Sequence, residues 1–207
     1  MKIKSVVSVG MGENCYIVID DTTGKAVIID PGENYREILK KVNDEKAEIE
    51  YIMLTHCHFD HIGAVEPLKK ELGCQVIIPK GEEILAENPV YNLSAMTGSE
   101  FTINYDRVLE NGDKISFGNI ELKLISTPGH TPGGACYYSE EYNVLFSGDT
   151  LFYMSVGRSD FPLGDGALLN KSIIEKLFVL PDETQVFTGH GNTTTIGFEK
   201  QNNMYVW

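Results

Sequence analysis

The chain has 207 residues, of which 42% are hydrophobic and 23% charged, and 30 acidic against 17 basic side chains give a formal net charge of −13. This composition excludes disordered and collagen-like classes and is sufficient for a hydrophobic core. The negative charge argues against a nucleic-acid partner, because binding to a phosphate backbone requires a basic surface. No apolar run has the roughly 18 residues of a spanning helix, and no signal peptide is evident. We therefore expect one cytoplasmic domain over residues 1–207 that acts on a small molecule, as a monomer or homodimer, without membrane contact.

The first half of the chain predicts antiparallel strands followed by alternating helices and strands. Short β-branched runs broken by glycine-rich turns predict a β-meander over residues 3–9, 15–20 and 25–29. Further along, apolar spacing predicts helices and strands in the order helix 34–42, strand 50–54, helix 62–72, strand 75–78 and short helix 81–86. Residues 88–105 have weak periodicity, so we expect a long loop or an irregular helix there.

The second half repeats the order of strands followed by helices. Its pattern predicts strands at 114–117, 120–126, 135–138, 144–146 and 185–188, a helix over 167–178 and a short closing helix near 196–203. No linker or low-complexity segment separates these elements. Two β-rich stretches, each followed by helices, favour two sheets packed face to face with helices on the outer faces.

All five histidines lie in turn-like contexts, outside the middle of any apolar helix or strand. The segment Thr55-His-Cys-His-Phe-Asp-His61 follows a predicted strand and contains four side chains that can bind metal. His56 and His58 alternate around the loop, so both imidazoles can reach one ion, while Asp60 and His61 point elsewhere and can hold a second ion. The segment therefore predicts a metal site just past a strand end.

Three further candidate ligands also follow predicted strands. His130 lies between two Pro-Gly pairs, Asp149 lies in Ser-Gly-Asp-Thr, and His190 lies in Thr-Gly-His-Gly. The flanking glycines allow close approach of the backbone. Taken alone, Asp149 has the pattern of a turn or N-cap aspartate. Taken with the other strand-end candidates, it is more consistent with a metal ligand.

With these motifs, the chain resembles the metallo-β-lactamase-fold hydrolases from about residue 3 to residue 200. THCHFDH resembles the family's HxHxDH signature, and TPGHTPGG, SGDT and TGHG resemble its later motifs. The resemblance implies an α/β (α+β) fold, the four-layer αββα sandwich. It also implies that one metal is bound by His56, His58 and His130, that a second is bound by Asp60, His61 and His190, and that Asp149 bridges them.

The ligand types indicate which metals and which chemistry to expect. Imidazoles with two carboxylates suit zinc, iron or manganese, and we expect two divalent ions, zinc before the others. Such a pair activates a bridging water, so hydrolysis requires no side-chain nucleophile. Asp60 and Asp149 are the expected catalytic carboxylates. Cys57 lies between two candidate ligands, and we expect its side chain to point away from the metals. All four cysteines are expected to be free, buried thiols.

Within the family, residues 147–165 resemble the GDTLF…GRxDF segment of glyoxalase II-like hydrolases, especially the short bacterial form. This resemblance implies hydrolysis of a thioester such as S-lactoylglutathione or a related acyl-thiol. Arg158 falls where the long enzymes place a lysine that contacts glutathione, and its guanidinium is the candidate for binding a substrate carboxylate. A structural pairing of Arg158 with Asp160 or Asp165 is the alternative.

Two other activities stay open at this point. One is a mononuclear iron sulfur dioxygenase that uses His56, His130 and Asp149, a two-His-one-carboxylate set with open positions for oxygen. The other is a lactonase or small-ester hydrolase. A second metal on Asp60, His61 and His190 would distinguish the hydrolase from the dioxygenase.

Overall fold

The computed structural model describes residues 1–206, and its strands form two six-stranded sheets and one small hairpin. The first sheet has the order β1 to β6, with bounds β1 Lys2–Val7, β2 Asn14–Ile19, β3 Lys25–Ile29, β4 Glu48–Met53, β5 Gln75–Pro79 and β6 Arg107–Leu109. Strands β1, β2 and β3 pair antiparallel, and β3 to β6 pair in parallel. The predicted meander is therefore confirmed, and crossover helices follow it.

The second sheet has the spatial order β14-β13-β10-β9-β8-β7. Its bounds are β7 Lys114–Phe117, β8 Ile120–Ser126, β9 Ala135–Ser139, β10 Val144–Gly148, β13 Gln185–Thr188 and β14 Thr194–Thr195. Strands β11 Leu151–Phe152 and β12 Ser155–Val156 form a separate hairpin that pairs with neither sheet. The prediction missed β6, β11, β12 and β14, which are two or three residues long and too short for a periodic signal.

Side-chain alternation along the strands separates the core into layers. In β2, Cys15 and Ile17 face the helices on one side, whereas Tyr16 and Val18 face the other sheet. The layer between the sheets also contains Tyr137 and residues from both sheets. A third cluster packs the far face of the second sheet against the C-terminal helices. The expected αββα sandwich is confirmed.

The helices lie in two outer layers, and their bounds differ from the predicted ones at several ends. They are α1 Tyr35–Glu45, α2 Phe59–Ile62, α3 Val65–Leu72, α4 Glu83–Ala86, α5 Gly166–Ser172 and α6 Ile196–Asn202. The predicted helix over 167–178 is an α-helix that continues as a π-helix over Ile173–Leu177. The stretch 88–105 is a loop with one 3₁₀ turn at Ser94–Met96, as expected. None of these helices is long and apolar enough to cross a membrane.

One prediction about the histidines was wrong. His61 lies within the single turn of α2, not in a turn-like loop, and the predicted helix over 62–72 forms from Val65 as α3, after α2 has ended at Ile62. The chain forms α2 directly after His58, where the Phe59 amide donates to the Asn92 carbonyl at 2.8 Å. This early helical turn places Asp60 and His61 on a rigid element.

Candidate metal centre

Three histidines from two loops converge at the carboxyl end of β4. Nδ1 of His58 lies 3.0 Å from Nε2 of His130, and that nitrogen lies 3.2 Å from Nε2 of His56. All three side chains are buried, and burial lowers the pKa of each, that of His58 to about 3. The imidazoles are therefore neutral near pH 7, which is the form that binds metal. We call His56, His58 and His130 the first set.

A second group of side chains lies beside the first. Nε2 of His61 is 3.3 Å from Nε2 of His190, and the latter nitrogen is 3.4 Å from Oδ2 of Asp60. Asp60 and His61 come from α2, whereas His190 follows β13. We call Asp60, His61 and His190 the second set. Their ligand atoms lie within 4.8 Å of one another, as do those of the first set.

The Asp149 carboxylate lies between the two sets. Oδ1 is 3.3 Å from Nε2 of His61, and Oδ2 is 3.6 Å from Nε2 of both His130 and His190. One carboxylate therefore faces nitrogens of both sets. The structure brings together all seven residues that the sequence nominated as ligands.

Hydrogen bonds to the outer ring nitrogens orient four of the five histidines. Nδ1 of His130 is 2.5 Å from the Arg158 carbonyl, and Nδ1 of His190 is 3.3 Å from the Met11 carbonyl. A carbonyl accepts only, so Nδ1 carries a proton in each ring, and in the neutral, metal-binding form the Nε2 lone pair points inward. Such outer hydrogen bonds are typical of metal-binding histidines.

The other two outer hydrogen bonds lead to Asp30. Nδ1 of His61 lies 3.2 Å from Asp30 Oδ2, and Nδ1 of His56 lies 3.2 Å from the Thr55 hydroxyl. That hydroxyl donates to the same Asp30 oxygen at 2.6 Å, and the Thr55 amide donates to Oδ1 at 2.7 Å. Asp30 thus supports one histidine of each set. Sequence reasoning missed it, although Asp30 follows β3 as Asp149 follows β10.

The residues fit divalent cations on two independent observations. Oδ1 of Asp149 is buried without a hydrogen-bond donor, while the lone pairs of several neutral imidazoles point into the same small volume. Among residues 1–206, the ion-pair partners of Asp60 and Asp149 are histidines, with no lysine or arginine. Buried carboxylates require positive charge nearby, and without a bound cation it has to come from His61 and His190, whose pKa the carboxylates raise. A pair of cations satisfies both requirements.

Arg158 approaches the site with its backbone while its side chain is already paired. The guanidinium donates to Asp160 through Nε at 2.9 Å and Nη2 at 2.7 Å, and it lies 4.2 Å above the Phe161 ring. The Phe161 ring in turn packs against His58 with a centroid distance of 5.6 Å. The pairing with Asp160 is the structural role that the sequence left open, and substrate binding by Arg158 stays a prediction.

Cys57 lies between two ligands, yet its side chain belongs to the core between the first sheet and its helices. The residue is fully buried there, and burial raises the pKa of its thiol well above the ordinary value. The ligand clusters found within residues 1–206 contain no cysteine. The site is therefore a nitrogen and oxygen site.

Comparisons with known proteins agree with this geometry. The Metallo-beta-lactamase superfamily model matches residues 9–190. The chain is 31% identical to the hydroxyacylglutathione hydrolase GloC of Haemophilus influenzae, over 100% of this chain and 98% of GloC. It is 33% identical to the probable metallo-hydrolase YqgX of Bacillus subtilis, over 93% of this chain and 92% of YqgX.

Two solved structures are similar over nearly their full length. One is the B3 metallo-beta-lactamase BLEG-1, with 36% identity, a TM-score of 0.94 and 99% coverage of both chains. The other is TTHA1623 in a di-iron-bound form, with 35% identity, a TM-score of 0.88, and coverage of 98% of this chain and 100% of that one.

Proposed function

Because the chain belongs to the metallo-β-lactamase superfamily and is a metal-dependent hydrolase, we propose that its substrate is a small-molecule thioester. The reaction adds water across the bond between the acyl carbon and sulfur and releases a carboxylic acid and a thiol. S-D-lactoylglutathione or a related acyl-thiol is the proposed substrate. The similarity to GloC and the segment Gly148-Asp-Thr-Leu-Phe152 with Gly157-Arg-Ser-Asp-Phe161 support this choice.

The observation that carries the proposal is the position of Asp149 between two complete sets of ligands. His56, His58 and His130 would hold one divalent ion, and Asp60, His61 and His190 a second, with Asp149 facing both. A mononuclear dioxygenase would bind one ion on His56, His130 and Asp149 and leave the second set without metal. The arrangement therefore favours a dinuclear hydrolase, with zinc proposed before iron or manganese.

The chain's own residues would prepare the site for hydrolysis. Two bound divalent ions would supply Lewis acidity and lower the pKa of water at the site. Burial opposes ionisation of Asp60, but without metal the protonated imidazoles of His190 and His61 hold the pKa of Asp60 below its ordinary value, and bound cations would take over that role. Asp60 thus presents an ionised carboxylate that accepts a proton at Oδ1 or Oδ2. Phe161 and Phe152 pack against His58 and His190, respectively, and limit access of water.

Hydrolysis of S-D-lactoylglutathione by zinc-reconstituted protein tests the proposal, with loss of thioester absorbance as the readout. Turnover that disappears in His58→Ala, reconstituted identically, supports it. A metal-loaded native protein without turnover on glutathione or coenzyme A thioesters contradicts it.

A β-lactam is the second candidate substrate, because the BLEG-1 similarity favours it. If the same preparation hydrolyses nitrocefin and leaves the thioesters unchanged, the protein is a β-lactamase and the thioesterase assignment is wrong. Oxygen consumption with glutathione persulfide by iron-loaded protein would instead indicate the dioxygenase.

A further inference from the structure

Glu82 is a fully buried carboxylate that contacts both loops of the first set. It precedes α4, and its Oε2 accepts from the Cys57 amide at 2.7 Å while its Oε1 accepts from the Gly133 amide at 2.9 Å. Cys57 lies between two ligand histidines, and Gly133 lies three residues after His130. One side chain therefore joins two loops that are about 75 residues apart in sequence.

The chemistry of Glu82 suits this bridging position. Among residues 1–206 it has no lysine, arginine or histidine within ion-pair distance, and the carboxylate accepts from the two backbone amides and faces the Thr131 hydroxyl. Burying a carboxylate is costly, and a glutamine of the same size would be cheaper to bury. A glutamine, however, offers one acceptor atom where two amide donors must be satisfied.

Backbone contact between the two segments is equally close. A Cβ added at Gly133 would lie 2.5 Å from the Glu82 amide nitrogen, and a Cβ added at Gly81 would lie 2.9 Å from the Gly133 Cα. Gly81 also has a φ of 98°, which residues with a side chain rarely adopt. The loop of His130 therefore packs directly against the start of α4, and the hydrogen bond from the Gly133 amide to Glu82 holds it in this position.

The second set has separate supports. Phe59 anchors α2 to the Asn92 carbonyl at 2.8 Å, and the Asn14 side chain donates at 3.0 Å to the Thr188 and Gly191 carbonyls on either side of His190. Glu82 contacts neither support. Its influence should therefore be confined to the first set.

We propose that Glu82 is a positioning residue that holds His56, His58 and His130 in the geometry needed to bind one metal ion. The inference rests on the proposed metal site and is independent of the substrate. Loss of one Glu82 acceptor would break the link between the loop of His56 and His58 and the loop of His130. Binding of the first ion would then weaken, while binding of the second would not.

Cobalt-substituted protein provides a direct test. Glu82→Gln is expected to raise the dissociation constant of the first ion about 10–100-fold and to shift the visible absorption bands of bound cobalt. The second ion should keep its affinity. Repeating the titration in a His190→Ala background, where the second set is incomplete, assigns the affected ion.

Glu199→Gln is the matched control. Glu199 is likewise fully buried, and its carboxylate accepts from the Met154 backbone amide, the Thr194 hydroxyl and the Asn203 side-chain amide, none of which belongs to the loops of the first set. This variant should lose stability without a change in the cobalt spectrum. Glu82→Asp keeps both acceptors on a shorter stem, and we expect a smaller weakening of the same ion. It also serves as the test if Glu82→Gln does not fold.

Native cobalt affinity and spectrum in both Glu82 variants would overturn the inference, as would an equal spectral change in Glu199→Gln. If the protein does not hydrolyse thioesters but the Glu82 variants still bind cobalt more weakly, only the proposed substrate is contradicted.

Discussion

Oδ2 of Asp30 lies 3.2 Å from Nδ1 of His61 and also accepts the Thr55 hydroxyl, whose oxygen lies 3.2 Å from Nδ1 of His56. One buried carboxylate thus fixes the ring orientation of a histidine in each set. Glu82, in contrast, contacts the loops of the first set alone. The two residues should therefore differ in which ions they affect.

Replacing Asp30 with asparagine should weaken binding of both metal ions. The new side-chain NH2 group is a donor, and it would face the Thr55 and His61 groups that already donate to Asp30. We expect the dissociation constants to rise about 10–100-fold. Asparagine tolerates the left-handed backbone at this position, where φ is 49°, so strain does not confound the result. Metal analysis after dialysis against a graded chelator measures the effect. Unchanged binding of two ions by Asp30→Asn would refute the assigned role.

Asn14→Ala should weaken the second ion while sparing the first. The Asn14 side chain donates to the carbonyls of Thr188 and Gly191. Without these two hydrogen bonds the loop of His190 can move. We expect about 1–3 kcal/mol lower unfolding free energy and one retained ion instead of two. Metal stoichiometry at limiting cobalt reports this. Asn119→Ala, which removes side-chain hydrogen bonds to Asp20 and Thr22, is the control and should retain two ions.

The pair of Arg158 and Asp160 allows a two-sided test of substrate binding. If Arg158 binds a substrate carboxylate, Arg158→Gln should raise KM for S-D-lactoylglutathione roughly 2–5-fold with kcat unchanged, as expected for an exposed ion pair. Asp160→Asn should lower KM, because it releases the guanidinium from its internal partner. Steady-state kinetics on both variants measures these changes. Equal KM values in all three proteins would leave Arg158 with its structural pairing only.

Asp20 should contribute stability that depends on pH. Hydrogen bonds from Thr22, Asn119 and Thr23 hold the pKa of its carboxyl well below the usual value. A carboxyl with a lowered folded-state pKa stabilises the protein above its unfolded pKa of about 3.9, and this contribution is lost as the pH falls. Asp20→Asn should have a lower urea midpoint at pH 7, and the difference from native protein should narrow below about pH 4. A difference that is constant from pH 7 to pH 3 would contradict the assignment.

All four cysteines are buried, and burial raises the pKa of each thiol. Because the thiolate is the reactive form, we expect no reaction with a disulfide reagent such as DTNB in native buffer and four equivalents in denaturant. Cys57→Ala should keep the native metal content. Rapid labelling of Cys57 in the folded protein would show that the metal loop opens.

The candidate ligands could be predicted because metal-binding side chains cluster locally, as in residues 56–61, or follow strands whose alternation is itself local. The layer order could also be predicted, since each β-rich half is followed by helices. Two structural details could not. Helix α2 depends on the contact of Phe59 with Asn92, and β6 has no signal of its own beyond pairing with β5.

Residue type and periodicity are properties of short segments, so they identified which side chains can bind metal and which elements carry them. Only the tertiary structure showed that Asp149 lies between two sets, that Asp30 orients His56 and His61, and that Glu82 joins two loops. These are hydrogen bonds and contacts between residues 19 to 88 positions apart. Such pairings arise from how the sheets and loops pack, and no local pattern encodes them.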